Sequence, residues 1–384
     1  MERETKKIYF LGIGGIGMSA IARYFLHEGC LVAGYDRTAT PLTRALEAEG
    51  AAIHYEDDVE LIPEAMRSAE DTLVVLTPAI PADHKEWVWF RERGFRIEKR
   101  SQMLGHLSEG KMVMAVAGTH GKTTTSTLAA WLNHAAAGEG SAFLGGISTN
   151  FASNLVLGEG RRLVVEADEY DRSFLRLWPD VAVITATDAD HLDIYGTAEA
   201  MVEAFEQFAS QIKEGGSLIL KQGVAFHFDT KGRNLYRYSC DAGGDFHAEN
   251  IRLIEGGHYR YDIVLPDGRI EDCELGILGK VHIENSVAAV AMLWCAAVAE
   301  NKPFDKEAVR RARRSFEGVK RRMEVYVNTA EQVYIDDYAH HPEELRATIE
   351  SLRGIFPGRN ILAVFQPHLY TRTQDLAPEF AEAL

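Results

Sequence analysis

The stretch Val116–Leu132, VAGTHGKTTTSTLAAWL, gathers the residue types that phosphate chemistry needs. An apolar, strand-like segment runs into Gly118-Thr119-His120-Gly121-Lys122-Thr123-Thr124, and a helix-like run follows. Glycines let backbone N–H groups approach an anion, and the start of the next helix adds partial positive charge. Lys122 supplies a full charge for β- and γ-phosphates, and the Thr123 hydroxyl suits Mg2+. The loop is shorter than G-x-x-x-x-G-K-[ST], because residue 116 is valine rather than glycine. Helix capping explains Thr123–Thr125, but it leaves the Gly-Lys before them without a task.

A phosphate loop of this kind also needs a carboxylate near its metal. RRLVVEADEYD (161–171) and DVAVITATDADHLD (180–193) each read as a buried strand ending in acids, where an open α/β sheet places its ligand. Glu166 follows the strand directly, and His191 stands between Asp190 and Asp193, so Glu166 and His191 together suit a divalent ion. Asp168, Glu169, Asp171 and Asp188 read mostly as a solvated strand-end loop. A second glycine loop, Gly12, Gly14, Gly15 and Gly17, fits G-x-G-x-x-G, with Asp36 where a dinucleotide fingerprint puts its ribose acid. The same glycines also suit a tight strand–helix turn.

The elements that position these loops alternate strand and helix, which implies parallel α/β sheets. Strands are expected at 7–13, at LVAGYD ending on Asp36, at 72–80 and, more weakly, at 95–100, with a helix over 17–27. A fresh strand at 111–118 opens a second unit, which continues at 217–221 and then reads as antiparallel strands over 246–275. Asp-Gly and Gly-Gly mark its turns. HIENSVAAVAMLWCAAVA (282–299) reads as a buried helix. A third unit holds strands near 324–328, 331–335 and 361–366 and a helix from Pro342 to about Phe356. The expected domains are 1–105, 106–318 and 319–384, and the last is thin enough to expect an incomplete domain. Trp87 and Trp89 read as packing residues.

The net charge of −16 argues against a broad nucleic-acid surface. Cys30, Cys240, Cys273 and Cys295 are scattered, with neither a C-x-x-C pair nor a disulfide framework. The N-terminus lacks the apolar core of a signal peptide, and no 18-residue apolar run suggests a membrane span. A cytoplasmic protein is expected.

Together GTHGKTTT, EADEYD, DADHLDIYG, DDYAHHPEE and FQPHLYTRT resemble the Mur ligases of bacterial cell-wall synthesis, over nearly the whole chain from Ile8 to Leu384. GIGGIGMSAIA and the late FQPH-Y-RT favour the branch that joins L-alanine to UDP-N-acetylmuramate. A murein tripeptide recycling ligase of the same family is the alternative, since it shares the P-loop and the HHP stretch. The resemblance implies three domains: a Rossmann-like UDP-substrate domain, a central P-loop ATPase domain and a C-terminal α/β domain. The first glycine loop would then hold UDP rather than NAD. Gly14, Gly15, Ile16 and Gly17 would meet the pyrophosphate, Asp36 would lie near the nucleoside, and Thr77, Pro78, Ala79 and Ile80 would line the site.

Gly118 to Thr124 would bind ATP, with Lys122 on the γ-phosphate. Thr123 and Glu166 would hold a first Mg2+ and His191 a second. His282 and Asn285 would meet the adenine. Arg322, Asp337 and His341 would close over the nucleotide, with Lys122, His191, Arg322 and His341 the catalytic set. His368 and Arg372 would face the amino acid. Leu369 stands where many relatives carry arginine, and His282 where many carry asparagine. Arg100 in KRSQML reads equally as a substrate contact or a solvated strand end. An NAD-dependent dehydrogenase would leave Lys122, Glu166 and His191 without a task. A non-catalytic nucleotide-binding regulator would need neither FQPH-Y-RT nor a second ligand loop.

Overall fold

The computed structural model describes residues 6–188, 191–368 and 370–384, the side chains of Leu192, Asp193 and Thr371 excepted. Asp190, Leu369 and the Asp193 side chain, all singled out from the sequence, lie outside the described residues.

The first unit is built from β1 (Lys7–Leu11), α1 (Ile16–His27), β2 (Leu31–Tyr35), α2 (Pro41–Ala48), β3 (Ala52–His54), β4 (Thr72–Leu76), α3 (Lys85–Glu92), β5 (Arg96–Lys99) and α4 (Arg100–Ser108). Its five strands are all parallel, in the order β3-β2-β1-β4-β5. Ile8 to Leu11 are fully buried, with Ile8 and Phe10 facing one core and Tyr9 and Leu11 the other. That two-sided burial is why the strand is continuously apolar. Neighbours β2 and β4 lie on opposite sides of β1, so its C-terminal end is a topological switch point, and the first glycine loop sits there. Trp87 and Trp89 pack against the Tyr9 face of the sheet. Arg100 begins α4 instead of ending a strand, because the chain turns helical immediately after β5.

The second unit contains β6 (Met112–Ala117), α5 (Lys122–Ala137), β7 (Ser141–Ser148), β8 (Ser153–Val156), β9 (Arg162–Glu166), β10 (Val181–Ile184), α6 (Leu192–Tyr195), α7 (Ala198–Ser210), β11 (Ser217–Lys221), β12 (Asn234–Ser239), β13 (Phe246–Leu253), β14 (Tyr259–Leu265), β15 (Gly268–Glu274), α8 (Val281–Ala299) and α9 (Lys306–Arg314). They form one ten-stranded sheet, β15-β14-β13-β12-β11-β10-β6-β9-β7-β8, parallel from β7 to β13 and antiparallel at both edges. All six residues of β6 are buried, and the phosphate loop leaves its C-terminal end between β9 and β10. Helix α8 is long and apolar enough to cross a membrane, yet 78% of its apolar window is buried, between α5 and this sheet.

A third unit pairs β16 (Glu324–Asn328) antiparallel with β17 (Val333–Asp336) and adds α10 (Pro342–Ile355), α11 (Tyr370–Asp375) and α12 (Ala377–Ala383). The strand expected at 361–366 does not form. Its continuous apolar run, Ile361 to Phe365, has no sheet against it, and Leu362 and Val364 are 89% and 91% exposed.

The units are stitched together at the sites. Asn154, fully buried on β8, donates to the Ile16 carbonyl at 2.6 Å and to Ser19 Oγ at 2.9 Å in α1. Across the second junction, Lys320 N–H donates to Ile147 O at 2.9 Å and Thr149 N–H to Gly318 O at 3.0 Å.

Candidate active site

Backbone geometry shapes the phosphate loop. Gly118 has φ +126°, and a Cβ there would lie 2.8 Å from the Thr185 and Ala186 nitrogens. Gly121 has φ +77° at the N-cap of α5, and its Cβ would lie 2.8 Å from Asn285 Oδ1. Both positions need glycine, for conformation and for space. The loop is pinned to the end of β10 by Thr119 N–H donating to Ala186 O at 3.2 Å and by the Thr185 hydroxyl donating to His120 O.

Lys122 curls back over this loop. Its ammonium donates to Gly118 O at 2.6 Å and to Glu169 Oε1 at 2.8 Å. The Thr123 hydroxyl donates to Glu166 Oε1 at 3.2 Å, and Ser126 Oγ lies 3.4 Å from Glu166 Oε2. Burial on its own would push the Lys122 ammonium down, but Glu169 and Glu166 outweigh it and keep the lysine charged. Burial raises both carboxyls, and Lys122 opposes that rise. His191 takes a left-handed backbone (φ +52°) and brings Nε2 to 4.0 Å from Glu169 Oε1.

The opposite wall comes from the third unit. Arg322, His340 and Glu344 join Lys122, Thr123, Glu166, Glu169 and His191 around a cavity of about 200 Å³. Glu344 accepts from the His340 and His341 backbone N–H groups at 2.9 and 3.3 Å, and its Oε1 lies 3.4 Å from His120 Nδ1. Burial alone would raise this carboxyl, but His120 and His340 hold it well below the usual carboxylate range. His282 and Asn285, on α8, touch through Asn285 Nδ2 and His282 Nδ1 at 3.2 Å. Burial pushes the His282 imidazole down to about 4, so it is neutral at physiological pH.

A larger cavity of about 300 Å³ lies beneath the first glycine loop, lined by Gly15, Ile16, Gly17, Thr77, Pro78 and Ala79 and by Arg100 and Asp168. Gly145 and Glu166 line both cavities. A Cβ on Gly145 would overlap the Glu166 carboxylate, so only glycine keeps the two chambers in contact there.

Several residues sit elsewhere than the sequence suggested. Asp36 accepts from Gly14 N–H at 2.7 Å and Thr38 N–H at 3.2 Å, so its carboxylate shapes the glycine loop and is not on the cavity wall. Ile80 packs under the same loop. Asp337 is used inside the third unit, accepting from Thr348 Oγ1 at 2.6 Å and Met323 N–H at 3.1 Å. His340, not His341, lines the smaller cavity; His341 is the N-cap of α10. The signal was present, since Pro342 at the first helical position and Glu344 at the third mark residue 341 as the cap. His368 is exposed, with its ring 6.3 Å from that of His340, and Arg372 lies on α11. Glu169, read as a solvated loop residue, is 1% exposed and pairs with Lys122. No sequence spacing marks it, because the backbone turn after β9 aims it.

The donor set fits phosphate and a divalent cation. Glu169 Oε2 and Thr119 Oγ1 are buried without hydrogen-bond partners, and Thr123 with Glu166 offers a hydroxyl beside a carboxylate. Among the described residues, no three His, Cys, Asp or Glu side chains are already gathered at coordinating distance. The metal reading of Thr123, Glu166 and His191 therefore has no preassembled cage.

Comparison with known proteins agrees with this geometry. Residues 7–112 match the profile of the Mur ligase family catalytic domain, residues 116–293 that of the Mur ligase middle domain, and residues 321–384 that of the Mur ligase glutamate ligase domain. The chain is 49% identical to a UDP-N-acetylmuramate–L-alanine ligase of Phocaeicola vulgatus, over 99% of this chain and 81% of that one. It is 47% identical to the protein of the same name from Porphyromonas gingivalis, over 99% and 82%. The crystal structure of a UDP-N-acetylmuramate–alanine ligase from Thermotoga maritima superposes with a TM-score of 0.82 at 27% identity, covering 98% of this chain and 83% of that one. Three α/β units, two facing cavities and a shortened phosphate loop thus have one common source: the chain belongs to the Mur ligase family.

Proposed function

We propose that this chain is the ATP-dependent ligase that joins L-alanine to UDP-N-acetylmuramate, in the cytoplasm, as a step of peptidoglycan precursor synthesis. The observation that carries this reading is the wall that the two cavities share at Gly145 and Glu166. A sugar nucleotide in the larger chamber and ATP in the smaller would meet there, carboxylate against γ-phosphate. The three domains would divide near residues 105 and 318.

A carboxylate is a poor acyl donor, so it must first be activated. Its oxygen attacks the γ-phosphorus, the bond to the β–γ bridging oxygen breaks, and ADP leaves. The alanine amine then attacks the carbonyl carbon of the acyl phosphate. The tetrahedral adduct expels inorganic phosphate, which leaves with the proton given up by the amine nitrogen. Lys122 and Arg322 offset charge on the transferring phosphoryl group, which is where most of the catalytic stabilisation arises. Thr123 and Glu166 would hold one Mg2+ and His191 a second, and bound metal would neutralise the crowded oxygens. Gly118 to Thr124 cradle the phosphates, with His282 and Asn285 at the adenine end. His368 and Arg372 face the incoming amino acid. The third domain, held over the phosphate loop through Glu344 and His120, excludes water that would hydrolyse the acyl phosphate.

Calorimetric titration with UDP-N-acetylmuramate and with NAD+ tests the reading. Binding of the sugar nucleotide and not NAD+, with ADP release that depends on L-alanine, is expected. Binding of NAD+ alone would overturn it and return the first glycine loop to a dinucleotide.

A further inference from the structure

Among the described residues, Arg100 is the one cation that lines the larger cavity, and Glu166 and Asp168 are its acids. A sugar nucleotide with a carboxylate must bring that group towards these acids to reach the shared wall. Arg100 already binds a carboxylate there, with Nη2 donating to Asp168 Oδ2 at 2.9 Å. The pair is reachable, since the two side chains are 19% and 37% exposed. Arg100 also lies flat over Gly17, where a Cβ would stand 2.8 Å from Nη1, so glycine at 17 makes room for the guanidinium.

Resting on the function proposed above, we propose that Arg100 is the specificity residue for the substrate carboxylate: its guanidinium leaves Asp168 and takes the lactyl carboxylate of the sugar nucleotide. The exchange is carboxylate for carboxylate, so the planar donor pattern of arginine suits both partners. Asp168 keeps its place after release because its Oδ1 accepts from Tyr170 N–H at 3.0 Å. The backbone N–H groups in the first turn of α1 would serve the pyrophosphate. Asp168 lies two residues beyond Glu166 and lines the larger chamber. The junction between the first two units survives the exchange, because Lys99 pairs with Asp171 at 3.2 Å and Asn154 holds Ile16 and Ser19.

The test is calorimetry on the full chain with three ligands: UDP-N-acetylmuramate, UDP-N-acetylglucosamine, which lacks the lactyl carboxylate, and UDP. For Arg100→Gln, a loss of about 10- to 100-fold is expected for the first ligand, in the range of a charged hydrogen bond. The other two should stay within about twofold of wild type, which also shows that the variant is folded. Arg100→Lys should recover part of the loss, and Asp168→Asn should not weaken binding. Equal weakening of all three ligands would move Arg100 to the pyrophosphate and overturn the proposal. Unchanged binding throughout would leave it an interdomain pin and overturn it equally. Wild-type chain that binds UDP but does not distinguish the two sugars refutes the role of Arg100. Wild-type chain that binds none of the three refutes the underlying function as well.

Discussion

Replacing Lys122 with methionine would strand the buried Glu169 carboxylate and weaken the support of Glu166, and the cost should depend on pH in a defined direction. Glu169 is 1% exposed, and Lys122 is its cationic partner at 2.8 Å. Breaking a buried ion pair by removing one partner costs about 3–5 kcal/mol. The Lys122 side chain is 15% exposed, which admits some solvent, so a loss of about 3 kcal/mol is expected near pH 8. Burial raises the Glu166 and Glu169 carboxyls in the native state, and removing Lys122 takes away the largest opposing influence, leaving Thr123 and Arg322 beside Glu166 and a backbone hydrogen bond at Glu169. A group whose native pKa is raised contributes stability below its unfolded value and loses it as pH climbs through the native one. The Lys122→Met penalty should therefore be small near pH 5 and full at pH 8. Urea unfolding of wild type, Lys122→Met, Glu169→Gln and the double variant at both pH values measures it. The double variant should regain most of the loss at pH 8, because the stranded charge is gone. An equal penalty at both pH values, or additive losses in the double variant, would refute the reasoning.

Gly145→Ala should lower kcat by about 100-fold, because the new methyl displaces the Glu166 carboxylate from the wall between the cavities; steady-state kinetics beside unchanged UDP binding checks it. His282, held down to about 4 by burial, gives stability at neutral pH that is lost as pH falls from 6.5 towards 4. His282→Asn should flatten acid unfolding over that window, followed by circular dichroism. Tyr9 donates to the fully buried Glu86 at 2.6 Å and lies 2.8 Å from His54 Nε2, and burial pushes the Glu86 carboxyl up to about 8. The wild type should lose stability as pH rises from about 4.5 to about 8, and Glu86→Gln should not; urea midpoints across that range decide it.

The sheet strands and both glycine loops were legible because burial on two faces writes continuous apolar runs, as in β1 and β6, and because glycine next to a helix start has few other uses. Side-chain direction was less legible. Glu166 ends a strand and points where the alternation says, whereas Glu169 is aimed by a turn that leaves no period to read. His340 and His341 are neighbours in sequence, and only the capping geometry of α10 decides which faces the cavity. Asp36 sits where a ribose acid would sit, but two backbone N–H groups claim it. The segment 361–366 has a buried strand's apolar run without a sheet to join, which local pattern alone does not reveal.

Transfer of the γ-phosphoryl group to the substrate carboxylate is the step on which the proposed reaction depends. UDP-N-acetylmuramate labelled with 18O at both oxygens of that carboxylate, turned over with ATP and L-alanine, tests it by mass spectrometry of the released phosphate. One 18O atom in each phosphate, with ADP as the other product, is the predicted result. Unlabelled phosphate, or label found in AMP, would contradict it.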